Sequence, residues 1–348
     1  MAPCGADRSS AVPAVALSSG KAMPRVGFGT ASATLGQAEG RAGVAKAVLR
    51  ALDAGYRHLD TASSYNSEAA VGDAVVEAVR SGTVASRDEL YITTKLWIAD
   101  AHPGRVLPAL QKSLRNLQME YVDLYLIHFP VSMRPPAVEG GLMVVKEDLV
   151  EMDMKGVWEE MEECHRRGLA RAIGVSNFSC KKLEYLLSFA NIPPAANQVE
   201  VHPYCRQNKL RAFCEEKGIQ LCGYSPLGAR GTAWANNSVM DCPVLKQIAR
   251  EKGKTVAQVC IRWVFEQGDC VIAKSFNEQR MRENLDILGW ELTDDDRRKI
   301  SALPESRGSY NFFVHESGPF KTAQEFWDGE IVAGPSAYQI AVSLDPTT

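Results

Sequence analysis

The stretch Gly55-Tyr-Arg-His-Leu-Asp-Thr-Ala-Ser-Ser-Tyr65 joins two segments that have helical periodicity. The segment before it, 41–54, carries apolar residues at helical spacing, and a glycine supplies its stop. Residues 57–60 are then predicted to form a short strand that ends on the carboxylate of Asp60. The small polar residues that follow are typical of a loop or a helix start, and they carry the phenol of Tyr65. The stretch therefore predicts a strand that delivers an acid at its C-terminal end, with a tyrosine in the next connection.

Short apolar strands and amphipathic helices alternate along the rest of the chain. Eight strand–helix units are counted if a strand ending at Gly29-Thr30 opens the series. Such alternation, without a linker or a break in composition, predicts a parallel sheet covered by helices. Two architectures fit this pattern, an open doubly wound sheet and a closed eight-stranded barrel.

The first unit favours the barrel. Gly27-Phe-Gly29 is followed by Thr-Ala-Ser, so the Gly-x-Gly-x-x-Gly fingerprint of an open Rossmann sheet is absent there. We therefore predict an α/β fold, a single (β/α)8 TIM barrel, with an N-terminal β-hairpin whose turn lies at Ser18–Lys21. One domain is expected over residues 1–348, with its core at about 12–303. Residues 304–348 are expected to form a C-terminal loop and tail over the substrate pocket.

Composition argues against several classes of function. The chain has 348 residues, 45% of them hydrophobic and 23% charged, and a formal net charge of −3. A slightly acidic chain without a basic run has no electrostatic footprint for nucleic acid or an anionic membrane. No apolar run is long enough to span a bilayer and residues 1–10 lack a signal pattern, so a cytoplasmic protein is expected. Nine dispersed cysteines without paired spacing predict reduced thiols and no metal site.

Polar residues end seven of the apolar strand segments. They are Asp60, Lys95, His128, Ser176-Asn177, Gln198, Tyr224-Ser225 and Lys274-Ser275. Because the active sites of (β/α)8 barrels lie at the C-terminal ends of the strands, all of these residues are candidates for the site. A single polar strand end is unremarkable, since every strand must reach solvent. Seven in succession favour a functional site.

An acid, a phenol, a lysine and a histidine in this set predict proton transfer. If Lys95 is buried it requires a counter-ion, for which Asp60 is the candidate; the alternative is a solvated lysine. The Lys95 cation beside Tyr65 is expected to lower the tyrosine pKa from about 10 by roughly one to three units. His128 has an alternative as a satisfied core histidine. At the barrel mouth its N–H is instead expected to orient a carbonyl oxygen and to stabilise its developing charge.

Other strand ends suit the nicotinamide end of a cofactor. Ser176, Asn177 and Gln198 offer hydrogen bonds to a carboxamide. Tyr224 offers a flat face on which an aromatic ring can stack. We therefore expect the cofactor ring to lie near these four residues.

The last strand suits the phosphate end of the same cofactor. Ser225 and the loop 228–241 are placed to approach a pyrophosphate. Lys274, Ser275 and Arg280 bring two cations and a hydroxyl beside the usual phosphate position of these barrels. Two cations there predict NADPH/NADP+ rather than NADH/NAD+.

Taken together, the motifs resemble the aldo-keto reductases. The resemblance covers roughly residues 12–303, and it is carried by the 55–65 stretch with Lys95-Leu-Trp, Leu126-Ile-His-Phe-Pro, Gly174-Val-Ser-Asn-Phe, Asn197-Gln-Val-Glu, Tyr224-Ser-Pro-Leu-Gly and Lys274-Ser. It implies an oxidoreductase with a (β/α)8 barrel that binds NADPH in an extended conformation and reduces carbonyl groups reversibly. It also implies that Tyr65 is the general acid, that Asp60 and Lys95 tune it, and that His128 orients the substrate.

The resemblance implies two further sets of residues. The cofactor-binding set is Gly29, Thr30, Ser176, Asn177, Gln198, Tyr224, Ser225, Leu227, Lys274, Ser275, Arg280, Glu283 and Asn284. The substrate-binding set is Trp97, Phe129 and Trp234, with the loops 131–152 and 306–331. The chain departs from the usual pattern at Phe129, Ala273 and Ala229, which replace a tryptophan, a proline and a serine. The loss of that serine removes one expected pyrophosphate contact, whereas the four catalytic positions are intact.

Four further motifs resemble the plant branch of the family: Leu117-Gln-Met-Glu-Tyr-Val-Asp-Leu-Tyr, Met161-Glu-Glu-Cys-His, Asn177-Phe-Ser-Cys-Lys-Lys-Leu and Met281-Arg-Glu-Asn-Leu-Asp. That branch includes chalcone and codeinone reductases and the grass deoxymugineic acid synthases. The resemblance implies a small-molecule carbonyl substrate, either the 3″-oxo intermediate of deoxymugineic acid synthesis or the substrate of a broad carbonyl reductase or specialised ketoreductase. A monomer is expected. A Schiff-base aldolase that uses Lys95 and a nucleotide-sensing binding module are the alternatives from other classes.

Overall fold

The computed structural model describes residues 12–17, 21–31, 40–135, 144–229, 232, 238–308 and 311–330. The strands in these ranges are β1 (Ala14–Val15), β2 (Met23–Pro24), β3 (Val26–Gly29), β4 (His58–Asp60), β5 (Tyr91–Leu96), β6 (Val122–Ile127), β7 (Ser132–Met133), β8 (Leu149–Val150), β9 (Ala170–Ser176), β10 (Ala196–Glu200), β11 (Gln220–Tyr224) and β12 (Cys270–Ala273). The helices are α1 (Gly40–Ala54), α2 (Glu68–Ser81), α3 (Val106–Leu117), α4 (Met154–Arg166), α5 (Cys180–Leu187), α6 (Asn208–Glu216), α7 (Ser238–Asp241), α8 (Pro243–Lys252), α9 (Val256–Glu266), α10 (Glu278–Leu285), α11 (Asp294–Ser301) and α12 (Ala323–Phe326).

Eight of the strands close into a barrel in the order β10-β11-β12-β3-β4-β5-β6-β9, and all pairs within it are parallel. The predicted (β/α)8 barrel is therefore confirmed. The register places Asp60 beside Gly29 and Thr93, and Ser176 beside Gln198. Because parallel strands all end at one side of the barrel, these residues are brought to a common mouth.

The N-terminal hairpin closes the opposite end of the barrel. Strand β1 pairs antiparallel with β2, as predicted, and the turn residues 18–20 lie outside the described residues. Leu17 and Met23 are buried in a cluster with residues from the beginnings of barrel strands, including Tyr91 and Cys270. The hairpin thus shields from water the end of the barrel that faces away from the candidate site.

Side-chain caps explain where several of the helices start. Ser179, Thr255, Asn277 and Thr293 each accept a hydrogen bond from a backbone N–H in the first turn of α5, α9, α10 and α11. The cap at Asn277 begins α10 at Glu278. No helix among the described residues has the length and apolar character needed to cross a membrane.

An apolar cluster separate from the one under the hairpin lies beside the barrel mouth. It includes residues of the connection after β6 and of the C-terminal segment. The predicted loop 131–152 contains the antiparallel pair β7–β8. Leu149, in β8, packs with Trp97 and with rings of the C-terminal segment. We refer to Trp97, Phe129, Phe313, Phe320, Phe326 and Trp327 as the aromatic wall.

Candidate active site

Four ionisable side chains meet at the mouth of the barrel. The Lys95 ammonium lies 2.7 Å from Asp60 Oδ1 and 3.3 Å from the Tyr65 hydroxyl. That hydroxyl lies 3.5 Å from His128 Nε2. Asp60, Lys95 and His128 are buried, and Tyr65 is partly exposed. Strands β4 and β5 supply the acid and the lysine, a 3-10 turn at Ser63–Tyr65 folds the phenol over them, and His128 follows β6.

Lys95 and Asp60 form a buried ion pair. The Lys95 side chain has no solvent exposure, and its ammonium also donates to the carbonyl oxygen of Thr61 at 3.0 Å. Burial lowers the pKa of Lys95, and the carboxylate of Asp60 opposes that shift. The counter-ion predicted from the sequence is therefore in direct contact with the lysine.

The expectation that Lys95 lowers the pKa of Tyr65 is wrong for this arrangement. Burial raises the pKa of Tyr65 well above 10, and the negative charge of Asp60 raises it further. The lysine charge is compensated by the carboxylate at 2.7 Å, so desolvation of the phenolate dominates. Tyr65 is consequently a protonated phenol near neutral pH, which holds a proton that it can donate.

His128 is a neutral imidazole enclosed by rings. Burial lowers its pKa well below 6.5, and the nearby charge of Lys95 lowers it further. Its ring centroid lies 4.9 Å from that of Phe129 in a stacked arrangement and 5.3 Å from that of Trp97. Because the ring is neutral, only one of its two nitrogens carries a proton. The hydrogen-bond partner of Nδ1 therefore affects whether Nε2, the nitrogen that faces Tyr65, carries the proton.

That partner is Ser64, which was not predicted from the sequence. Its buried hydroxyl lies 3.3 Å from His128 Nδ1. The available signal was a small hydroxyl residue directly before the tyrosine, in a turn that brings both side chains to the same place. Spacing alone could not show which of Ser63 and Ser64 faces the histidine.

Comparisons with known proteins agree with this geometry. Residues 25–305 match the Aldo/keto reductase family. The chain is 61% identical over 310 residues to deoxymugineic acid synthase 1-B of Triticum aestivum, covering 89% of this chain and 97% of that protein. It is 54% identical over 326 residues to 7-acetyl-epi-neemfruitin B aldo-keto reductase of Melia azedarach, covering 93% and 99%. A crystal structure of a Bombyx mori aldo-keto reductase in complex with NADP is 37% identical, with a TM-score of 0.75 and coverage of 84% and 93%.

The chain belongs to the aldo/keto reductase family. It is accordingly an oxidoreductase that acts on a small molecule.

In this aldo-keto reductase, the residues predicted to hold a nicotinamide are linked to the four ionisable groups. The Tyr224 hydroxyl donates to Asn177 Oδ1 at 2.8 Å, and Asn177 Nδ2 donates to the carbonyl oxygen of His128 at 3.0 Å. Ser176 Oγ donates to the carbonyl oxygen of Gln198 at 2.7 Å. Gln198 Nε2 in turn donates to Asp60 Oδ2 at 2.8 Å. Gln198 therefore also orients the carboxylate that pairs with the lysine, a contact that the sequence did not reveal.

Two residues predicted to touch the cofactor near the first strand are closely packed. Thr30 is buried, and its hydroxyl donates to the carbonyl oxygen of Asp60 at 3.0 Å and lies 2.9 Å from Ser67 Oγ. A Cβ added to Gly29 would lie 3.3 Å from a methyl carbon of Ile272. The Thr30 side chain is thus engaged in holding the turn after β4.

Residues predicted to lie at the phosphate end fall on β12, its following turn and α10. Lys274 and Arg280 are exposed, with the Lys274 ammonium 4.8 Å from the centre of the Phe276 ring. The Ser275 hydroxyl accepts from the backbone N–H of Asn277 at 3.2 Å. The two cations and the hydroxyl thus lie in the turn after β12 and in the first turn of α10.

The remaining residues predicted to bind the cofactor or the substrate occupy several different places in the structure. Glu283 accepts from Gln279 at 2.8 Å, whereas Asn284 is buried and hydrogen-bonds to the Tyr56 hydroxyl. Leu227 packs against the apolar core, and Ser225 adopts a left-handed backbone conformation with φ 52°. Trp234 and half of the predicted loop 228–241 lie outside the described residues, and 238–241 form α7.

Proposed function

We propose that this aldo-keto reductase uses NADPH to reduce an aldehyde or ketone to an alcohol, with Tyr65 as the proton donor. The observation that supports it best is the position of the Tyr65 hydroxyl, 3.3 Å from the Lys95 ammonium and 3.5 Å from His128 Nε2. A related structure holds NADP. NADPH, when bound, supplies the hydride that is added to the carbonyl carbon.

The donor set of this chain fits that cofactor. Ser176, Asn177, Gln198 and Tyr224 offer the hydrogen bonds and the flat ring that a nicotinamide requires. Lys274 and Arg280 are two exposed cations at the end of the last strand, suited to a phosphomonoester. We therefore assign the NADPH preference to this pair of cations.

Tyr65 gives its proton to the carbonyl oxygen and becomes a phenolate. The Lys95 ammonium then lies within hydrogen-bonding reach of the new negative charge. Since Asp60 keeps Lys95 charged despite burial, the ion pair stabilises the product of proton transfer rather than ionising the resting phenol. This assigns a role to Lys95 that is compatible with the raised pKa of Tyr65.

Neutral His128 orients the substrate. If the Ser64 hydroxyl donates to Nδ1, the ring proton lies on Nε2, the nitrogen that faces Tyr65. An Nε2–H beside the phenol points a second hydrogen bond at the same carbonyl oxygen. We assign Ser64 as a positioning residue that selects this tautomer.

The same arrangement argues against a Schiff-base aldolase. That chemistry requires a neutral amine as the nucleophile. Here the Lys95 nitrogen is instead held in an ion pair with Asp60 at 2.7 Å and in a hydrogen bond to the carbonyl oxygen of Thr61 at 3.0 Å.

For the substrate, we propose the 3″-oxo intermediate of deoxymugineic acid synthesis. The basis is the 61% identity to deoxymugineic acid synthase 1-B of Triticum aestivum. A second candidate is an apolar ketone of specialised metabolism. It is favoured by the aromatic wall, in which Phe129 lies between His128 and Phe313 with ring centres 4.9 and 4.4 Å away. A screen of NADPH oxidation with a 3″-oxo nicotianamine analogue, keto acids, aldehydes, quinones and aromatic ketones separates these candidates.

We further propose a cytoplasmic monomer with one domain over residues 1–348, whose C-terminal segment covers the pocket. All eight cysteines in the described part of the chain are buried and unpaired, which suits a reducing compartment. The large exposed apolar residues among those described are few: Val76, Val79, Val145, Tyr185 and Phe312. Light scattering on the purified protein tests the monomer.

The test of the reaction is Tyr65→Phe. This variant keeps the ring and removes the donated proton, so it should bind NADPH with unchanged affinity. Its turnover of a reactive aldehyde should fall by about 100-fold or more. Full activity of Tyr65→Phe would refute the assignment of Tyr65 as the proton donor.

A further inference from the structure

Two carboxylates fasten the C-terminal segment 322–330 to the start of helix α5. Ser179, the N-cap of α5, donates to Asp328 Oδ2 at 2.5 Å and accepts from the backbone N–H of Lys182 at 3.1 Å. The two carboxylate oxygens of Glu330 lie 3.2 and 3.1 Å from the backbone N–H of Cys180. A helix N-terminus presents unpaired N–H groups and the positive end of the helix dipole, so both anions are stabilised there. We refer to Ser179, Lys182, Asp328 and Glu330 as the α5 clamp.

Lys182 is the centre of the clamp. Its ammonium lies 2.5 Å from Asp328 Oδ2 and donates to the carbonyl oxygen of Phe326 at 2.6 Å. Only 10% of the Lys182 side chain and 13% of the Asp328 side chain are exposed. The ammonium also lies 5.3 and 5.6 Å from the ring centres of Phe320 and Phe326. One buried cation therefore binds the segment through a carboxylate, a carbonyl and two aromatic faces.

The backbone of the segment is folded to make these contacts. Asp328 has φ 52° and Gly329 has φ 75°, two successive residues in the left-handed region. A non-glycine residue there carries a conformational cost, which the surrounding contacts must offset. The reversal turns the carboxylates of Asp328 and Glu330 to the same helix end.

The clamp is connected to the candidate active site through rings. Phe326, whose carbonyl Lys182 holds, lies 5.7 Å from Phe313 between ring centres. Phe313 lies 4.4 Å from Phe129, and Phe129 stacks on His128 at 4.9 Å. The position of the aromatic wall relative to His128 is thus held by packing at one end and by the clamp at the other.

We propose that the α5 clamp is a specificity determinant of this reductase, which holds the aromatic wall at the distance from His128 that bulky carbonyl substrates require. This inference rests on the proposed reaction at Tyr65 and His128. Lys182, which touches the wall, and Asp328, which holds Lys182, are positioning residues in it, since neither touches the reacting atoms. Loosening the clamp weakens the binding of substrates that contact the wall and leaves proton donation by Tyr65 intact.

The test compares Lys182→Met with Lys181→Met. Lys181 is the adjacent lysine, 78% exposed and 3.7 Å from Asp328 Oδ1, so it matches the change in charge without the buried contacts. Steady-state kinetics with propanal and with 1-phenyl-1,2-propanedione separate a small substrate from one that reaches the wall. For Lys182→Met we expect KM for the dione to rise by about tenfold while KM for propanal and both kcat values stay within about twofold. Lys181→Met should match the wild type, and equal rises of both KM values in Lys182→Met, or none, overturn the proposal.

Limited chymotrypsin digestion tests the clamp without any catalysis. Cleavage within 312–327 should be faster in Lys182→Met than in the wild type or Lys181→Met, and an unchanged rate overturns the proposal. If Lys182→Met does not fold, Asp328→Asn supplies the same comparison with a nearly isosteric side chain. A wild-type protein that reduces neither these two substrates nor any carbonyl compound of the screen described above refutes the proposed function, whereas the digestion result still decides whether the clamp holds the segment.

Discussion

Asp60→Asn should destabilise the protein strongly, because it leaves the Lys95 ammonium buried without a counter-charge. The two groups lie 2.7 Å apart, and their side chains are 0% and 4% exposed. With an effective dielectric constant of about 20, their gross attraction is about 6 kcal/mol. Loss of one partner of a buried pair typically costs about 3–5 kcal/mol. The penalty has an upper limit, since removing the proton of a lysine with a pKa of about 10.4 costs about 4.6 kcal/mol at pH 7. We therefore expect the free energy of unfolding to fall by about 3–4.5 kcal/mol at pH 7.

The penalty of Asp60→Asn is also expected to depend on pH. Burial already lowers the pKa of Lys95 in the folded protein, and loss of Asp60 lowers it further. Between the lowered folded pKa and the unfolded value of about 10.4, the unfolded chain binds more protons, so stability rises with pH. The penalty of Asp60→Asn should consequently be largest near pH 7 and shrink as the pH approaches 10.

The assay is urea unfolding of four proteins at pH 7 and pH 9: wild type, Asp60→Asn, Lys95→Met and the double variant. The double variant removes both charges and should be more stable than the sum of the single penalties predicts. Asp73→Asn is the control, because it breaks an exposed pair with Arg41 and should change little. A penalty for Asp60→Asn no larger than that of the control, or one that does not depend on pH, would contradict the reasoning.

Three further predictions concern the reaction. Ser64→Ala should lower kcat/KM by about five- to tenfold, as one neutral hydrogen bond is worth about 1 kcal/mol. Ser63→Ala, which loses only a bond to the carbonyl oxygen of Lys95, should stay within about twofold; equal losses in both variants count against the tautomer role. Replacing Lys274 and Arg280 with alanine should reduce the preference for NADPH over NADH by about 10- to 100-fold, and an unchanged ratio of kcat/KM values excludes these cations as the phosphate site. Since burial and Lys95 lower the pKa of His128, its neutral form persists below pH 6.5, so kcat/KM should not fall as the pH drops from 7 to 6; an acid limb with a pKa near 6.5 that disappears in His128→Gln would show instead that the imidazole titrates normally.

The features that depend on local residue patterns could be predicted from the sequence. The alternation of strands and helices was sufficient to predict a parallel sheet covered by helices, because parallel neighbours need crossover connections that are usually helical. The absence of a dinucleotide fingerprint after Gly27-Phe-Gly29 correctly favoured the closed form. Strand ends located Asp60, Lys95 and His128 at one mouth, since parallel strands all point the same way.

Other features depended on contacts between segments distant in sequence. Gln198 bonds to Asp60 across 138 positions, and Lys182 to Asp328 across 146. No local pattern encodes such pairs, because each member alone reads as an ordinary polar residue.

The stretch from Gly55 to Tyr65 shows both cases. By itself, the sequence determined that an acid ends a strand and that a phenol follows it, since residue type and periodicity are local properties. Only the tertiary structure decided which groups surround the phenol. Burial and the charge of Asp60 raise the pKa of Tyr65, whereas the residue types alone suggested a lowered pKa. The balance between desolvation and charge depends on distances and exposure in three dimensions, and these are set by the packing of the whole barrel.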